Sequence, residues 1–291
     1  MGIVVSEVLL FKMTRVLRRL VSVTLLLASA FSVSLAQKSL AVIHPFEPVE
    51  ELYYEAEFNR AVLRGLNVAE FKLRSERTPV TNATSESEKL YSLALSADVA
   101  SKGFFTKLFN LRFREQIQST VDASNFTIQK STMLDEQGKR VRTSETLYDR
   151  SKGKLSWTQR DPNNPNAEPR TAVVDFAGQL QDVLSAIYFV RTQKLEVGKT
   201  FEVFVSDSGH VYRVPIHVLE KKKMKTAVGK VNAFRIEPDL FGPEGMLDDE
   251  KGQFSIWISD DEKRIPVSAR VKTEYGTFDI KLKRVVYNPP A

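Results

Sequence analysis

The chain contains no cysteine in its 291 residues. That excludes disulfide bridges, thiolate nucleophiles and cysteine-ligated metals. Histidine is almost as scarce, with only His44, His210 and His217. They form no His-x-x-x-His or Glu-x-x-His spacing, which argues against a zinc hydrolase. His210 and His217 fall in one expected strand, seven apart, and so face opposite ways. The sequence also lacks a Gly-x-Ser-x-Gly elbow and a glycine-rich phosphate loop, the local signatures of many hydrolases and nucleotide-binding proteins. No internal repeat of roughly 20–50 residues is present, so a solenoid or propeller is not expected.

Long apolar runs are missing too, with one exception. Leu20 to Phe31 is apolar except for Ser22, Thr24 and Ser29. Arg15, Arg18 and Arg19 precede it, and Ser34-Leu35-Ala36 follows. A basic segment, an apolar core and small residues at the cleavage positions make the three-part secretory pattern. A core of about a dozen residues is shorter than the roughly 20 that span a bilayer. With no cysteine behind it, no lipid anchor is expected. Residues 1–36 therefore read as a signal peptide cleaved after Ala36. Residues 1–12 read as an upstream extension, which leaves Met1 and Met13 as alternative starts.

Cleavage removes Lys12, Arg15, Arg18 and Arg19 against Glu7, so the net charge falls from +6 to +3. So small an excess gives no reason to expect nucleic acid as a partner. The remaining 255 residues come from a chain that is 42% hydrophobic. Without disulfides in an oxidising compartment, such a protein rests on its core alone.

Residues 37–50, with Pro45 and Pro48, show little periodicity and read as a leader. From Glu51 the pattern has period two. Tyr54, Ala56 and Phe58 share one face, and Glu55 and Glu57 the other. Ala69, Phe71 and Leu73 alternate with Glu70, Lys72 and Arg74. This is the pattern of strands with one buried and one wet face. Further strands are expected near 89–99, 107–114, 126–134, 140–148, 154–160 and 171–176. The C-terminal half adds 200–206, 210–219, 231–238, 253–259, 265–275 and 277–286. Turn signals separate them, such as Ser206-Asp207-Ser208-Gly209 and Ser151-Lys152-Gly153. One segment departs: over 182–193, Val183, Leu184, Ile187, Tyr188 and Val190 recur at helical spacing. The expected fold class is all-β, a large curved antiparallel sheet or barrel-like fold with one amphipathic helix near 182–193. It forms a single β-rich domain over 51–287, with the helix covering an open end or face of the sheet.

A family resemblance follows from particular stretches. Phe254-Ser255-Ile256-Trp257-Ile258-Ser259-Asp260-Asp261 is followed by Arg264-Ile265-Pro266-Val267 and then Tyr275-Gly276-Thr277-Phe278. Upstream stand Leu184 to Arg191 and Leu195-Glu196-Val197-Gly198, and at the front Glu51-Leu52-Tyr53-Tyr54 and Gly65. From about 50 to 287 the chain resembles the bacterial exported family catalogued as domain of unknown function 3108. The resemblance implies an envelope-located, β-barrel-like domain and brings no established chemistry. The chain departs from it in the upstream extension and in the lysine-rich stretch 221–225.

The candidate ligand-contacting residues are Trp257, Arg191, Asp260, Asp261 and Arg264; no catalytic or metal-binding residue stands out. Asp260 and Asp261 offer a carboxylate pair, but Ser-Asp-Asp-Glu-Lys between two strands reads first as a turn. Asp248-Asp249-Glu250 lacks the ligand spacing of a calcium loop and reads as a solvated loop. Lys221 to Lys225 reads as protection of a sheet edge or plain solvation, with anion binding as the alternative. Arg191 closes the helix stripe, where a cation is favoured, or else it reaches a buried carboxylate. Trp257 opposes Ile256 and Ile258 and reads as core packing, with ligand stacking as the alternative.

These readings point to a periplasmic or secreted protein with no cofactor. It is expected to bind or scaffold rather than catalyse, holding a lipid-like ligand or an envelope polymer, and not to span the membrane once cleaved. The alternative is a carboxylate-dependent hydrolase of envelope polymers using Asp260. An outer-membrane barrel is disfavoured by charged residues at many outward positions. The export reading has a direct outcome: N-terminal sequencing of the protein recovered from the periplasm begins at Gln37, and a product that keeps residues 20–31 overturns cleavage.

Overall fold

The computed structural model describes residues 44–61, 63–79, 91–103, 112–242, 245–247, 249 and 251–288. The expected signal peptide, the start of the leader and parts of the 107–114 and 248–250 segments lie outside these residues.

The alternating stretches form one sheet of fifteen strands. They are β1 (Val49–Arg60), β2 (Leu63–Pro79), β3 (Tyr91–Ser101), β4 (Phe113–Asp122), β5 (Ile128–Gln137), β6 (Arg140–Asp149), β7 (Lys154–Arg160), β8 (Arg170–Asp175), β9 (Leu180–Asp182), β10 (Thr200–Asp207), β11 (His210–Thr226), β12 (Gly229–Pro238), β13 (Gln253–Ser259), β14 (Pro266–Thr273) and β15 (Gly276–Tyr287). Among the described residues one helix, α1 (Val183–Thr192), interrupts them. Strands β1 to β8 run outward as one antiparallel meander, and β15 back to β10 as a second, with β9 at its end. The two join where β1 pairs with β15, from Glu50 opposite Tyr287 to Asn59 opposite Thr277. The only parallel pairing among the described strands is the three-residue β9 against β10.

The two sheet ends, β8 and β9, are consecutive in the chain, and the sheet curls until the second meander touches the first. Ser208 and Gly209, both at positive φ (50° and 78°), make the tight loop of the β10–β11 hairpin. A Cβ on Gly209 would stand 2.7 Å from the Cβ of Ala172 in β8, so only glycine fits where the second meander meets the first. Tyr148 of β6 and Ser206 of β10 bond across the same seam at 2.6 Å.

The curled sheet encloses α1. The periodicity predicts a helix with one wet face, yet every residue from Val183 to Arg191 is buried. The reason is visible in VLSAIYFVRT, whose apolar residues surround the axis; a helix apolar all round belongs inside. Two polar anchors hold it. At the N-terminus, Asp182 accepts bonds from the Ser185 amide (2.7 Å) and from the hydroxyls of Ser119 in β4 and Ser131 in β5 (2.5 Å each). At the C-terminus, Arg191 grips Glu50 of β1 with two bonds, 2.6 and 2.9 Å, and gives a third to the Lys263 carbonyl at 2.9 Å. Both side chains are 0% exposed. The Phe46 ring lies 4.9 Å from the guanidinium. Burial works against the charge on Arg191, but the Glu50 carboxylate outweighs it and raises the Arg191 pKa. Phe46 belongs to the segment read as a leader; its described part is tucked into the core, with Ser75 of β2 bonded to the Phe46 carbonyl at 2.9 Å.

Two strands depart from the sequence expectation. β4 covers Phe113–Asp122, beyond the expected 107–114, and β9 was not expected. The buried row of β4 is Glu115, Ile117, Ser119 and Val121, so polar residues stand on its inner face and hide the alternation.

Breaking a buried ion pair from one side costs about 3–5 kcal/mol, because the other charge stays buried without a partner. Arg191→Met or Glu50→Leu alone is therefore expected to lower the urea midpoint sharply. The double variant Glu50→Leu/Arg191→Met recovers much of that loss; a double variant as unstable as the sum of the singles overturns this account.

Candidate functional site

The sheet wall has an outer face as well as the inner one that holds α1. On β13, Phe254, Ile256 and Ile258 point to the core, so Gln253, Ser255 and Trp257 face out. On β14, Ser268, Arg270 and Lys272 do the same, as do Lys281 and Lys283 on β15. Register lines these residues into rows. Arg235 of β12 stands opposite Trp257, Trp257 opposite Ser268, Ser268 opposite Lys281, and Lys281 opposite Glu55 of β1. One row on, Ser255 faces Arg270, which faces Asp279. A further row sets Gln253 beside Lys272.

Twist gives a barrel-like wall a hyperboloid shape, hollow on the outside along its length. Over β11 to β15 this hollow is a groove of about 790 Å3. Its floor is Trp257 with Gln253, Ser255 and Ser268. Its lining carries seven lysine and arginine side chains against three carboxylates. All three carboxylates are paired: Glu220 and Glu237 with Arg235, and Asp279 with Arg270. Lys281 and Lys283 reach out to Glu57 and Glu55 of β1. Lys222, Lys225 and Lys272 are left without an ion pair among the described residues. Lys222 rests over the Trp257 ring, 4.1 Å from its centre. The arrangement offers an aromatic surface, short hydrogen-bonding side chains and uncompensated positive charge.

Of the five residues singled out in the sequence, only Trp257 lines this groove. It is half-buried on the outer face, because strand alternation gives the inner face to Ile256 and Ile258. Asp261 sits in the β13–β14 turn, as its sequence context predicts. Its carboxylate accepts from the Ser259 hydroxyl at 2.8 Å and from the amides of Lys263 and Arg264 at 3.0 Å each. Asp260 instead forms an ion pair with Lys221, so the two carboxylates serve different partners. Arg264 and Arg191 meet at a separate cleft of about 570 Å3 at the C-terminal end of α1. There Arg191 is bound to Glu50, and the Arg264 guanidinium lies 5.8 Å from the Phe234 ring. Among the described residues no three acidic or histidine side chains gather as a metal site.

Sequence reading singled out the lysine run but not its relation to Trp257. β10 pairs with β11 only as far as His217, so Lys221 to Lys225 extend past it and pair on one side, with β12. The run therefore occupies a true sheet edge and also the rim of the groove. Lys272, Ser255 and Ser268 carry no local signal; they join the site through register.

A single curled sheet wound round a buried helix, with a groove on its outer wall, defines a β-barrel-like protein. The chain belongs to the family described as Protein of unknown function (DUF3108), whose model matches residues 53–283. A β-barrel-like protein of the domain of unknown function DUF1849 from Brucella abortus is similar in structure. It is 10% identical, with a TM-score of 0.49 over 85% of this chain and 100% of its own. A protein with a YmcC-like fold from Bacteroides fragilis is 8% identical, with a TM-score of 0.34 over 85% of this chain and 100% of its own. No curated protein matches the chain. Among the described residues no helix is long and apolar enough to cross a membrane.

Beside the groove, the outer face of β1 carries a tighter cluster. Glu51 accepts from Tyr53 at 2.5 Å and from Arg74 at 2.8 Å, with Lys72 at 2.7 Å. Burial works to raise its pKa, but hydrogen bonds from Lys72, Tyr53 and Arg74 prevail and bring it down to about 2 from 4.5. A depressed carboxylate stabilises the fold above its ordinary pKa and loses that effect as pH falls through the lowered one. With partners partly in water, the contribution is about 2 kcal/mol. Glu51→Gln is expected to cost that much at pH 7 and to flatten the fall in stability between pH 4.5 and about 2; equal acid sensitivity in both proteins contradicts it.

Proposed function

We propose that this chain is an exported protein of the bacterial cell envelope that binds a ligand in the groove over β11 to β15 and carries out no reaction there. The groove itself carries this reading. At about 790 Å3 it falls within the roughly 300–1,000 Å3 of small-molecule sites. It combines an aromatic floor with uncompensated charge, the features that fix and orient a ligand. The secretory pattern of residues 1–36 supports the compartment.

The interior favours a different conclusion for a lipid-like ligand. With α1 seated, the apolar gap between the helix and the inner face is about 50 Å3, lined by Tyr54, Phe71, Leu184 and Ile187 among others. That is far below the volume of a ligand site. This supports placing the ligand on the outside of the wall and not between the helix and the sheet. A hydrolase built on Asp260 has less support, since Lys221 neutralises that carboxylate and Asp261 is held by its own turn.

Native mass spectrometry of the protein isolated from its own periplasm provides the test. The reading expects a reproducible non-protein mass on the wild type that is absent from Trp257→Ala. A mass that stays bound to Trp257→Ala, or wild type that is always bare, counts against the groove.

A further inference from the structure

The charge pattern of the groove goes further than its existence. Every carboxylate in its lining already has a cation, and among the described residues Lys222, Lys225 and Lys272 have no ion pair. Lys222 stands beside Trp257 on β11, whereas Lys272 lies on β14 two rows away, next to Gln253. Lys222 and Lys225 thus stand at one end of the uncharged floor of Trp257, Ser255, Ser268 and Gln253, and Lys272 at the other. A compact anion would need a cluster. An extended ligand with spaced negative groups matches cations at both ends of a neutral strip.

We infer that the groove takes an acidic sugar chain, with carboxylate or phosphate groups on Lys222 and Lys272 and a sugar ring against Trp257. This rests on the groove being the binding surface and adds the class of ligand. Pyranose rings are apolar on one face and hydroxyl-rich at the edge, which suits an aromatic floor beside serine and glutamine side chains. Lys222 moves from the ring to the incoming anion, exposing the Trp257 face. Two other anionic partners fit less well. A flat bilayer meets the rims of the hollow and not its floor. An acidic peptide would meet bare backbone at the rim, on β11 past His217, but not at Trp257, which is paired with both β12 and β14.

Titration of the purified protein with oligogalacturonate, followed by tryptophan fluorescence and calorimetry, tests the inference. Its neutral methyl ester and vesicles of anionic phosphatidylglycerol serve as comparisons. The acidic oligosaccharide is expected to bind and to change the fluorescence, and Trp257→Phe to abolish that change. Lys222→Gln/Lys272→Gln, both exposed positions, is expected to weaken binding about tenfold. Raising salt from about 0.05 to 0.5 M weakens the wild type markedly. Equal binding of the methyl ester, an unaffected lysine variant, or binding of vesicles but not oligosaccharide overturns the acidic-sugar assignment. The first two still leave the groove as a binding surface if Trp257→Phe loses the signal. The failure of that broader reading shows separately, as a native mass unaffected by Trp257→Ala.

Discussion

The buried pair of Arg191 and Glu50 ties together three parts of the chain that lie far apart in sequence. Glu50 opens β1, Arg191 ends the helix, and Lys263, which gives its carbonyl to the same guanidinium, lies in the β13–β14 turn. A charge this deep is tolerable only when it is paired with an opposite charge and hydrogen-bonded. The sheet must therefore bring its first strand and a late turn to the same place as the helix end. Asp182 makes the matching demand at the other end, recruiting Ser119 and Ser131. With both ends of α1 fixed, the wall has a defined radius, and the form of its outer face follows.

That outer face is organised by a different rule. The inner surface is filled by α1 and by side chains such as Phe58, Phe278 and Leu95. The outer surface is a set of cross-strand rows in which charges meet opposite charges. Exposed pairs of this kind contribute little stability each, but they determine which charges are left over. Over β1 and β2 the charges close on one another, as around Glu51. Over β11 to β15 they do not, and the surplus is positive. The surplus charge of the groove is thus a property of the register.

The alternation from Glu51 onward made most strands legible, because their inward rows are apolar and their outward rows charged. It failed at β4, where Glu115 and Ser119 face inward and Ser119 bonds to the buried Asp182. The helix was legible in position but not in setting: its spacing was recognised, whereas Ser185, polar by sequence, is fully buried in the capping of α1. Asp261 was readable because a turn is local. The partner of Arg191 was not, since Glu50 lies 141 residues away. The groove was legible only as separate pieces, a lysine run and a lone tryptophan on different strands. Nothing in a linear reading sets Lys222 above Trp257; that needs the pairing of β11 with β12 and of β12 with β13.

The joining of β1 to β15 sets the order in which the molecule can be completed. β1 is among the first strands to emerge from any machinery that delivers the chain from its N-terminus, and β15 is the last. Until then β1 keeps a bare edge from Glu50 to Asn59, open to strangers. Pairing at such sequence separation is slow to close. A chaperone that shields one strand edge during delivery would therefore be needed longest at β1, and a truncation that removes the whole of β15 would leave that edge permanently uncovered.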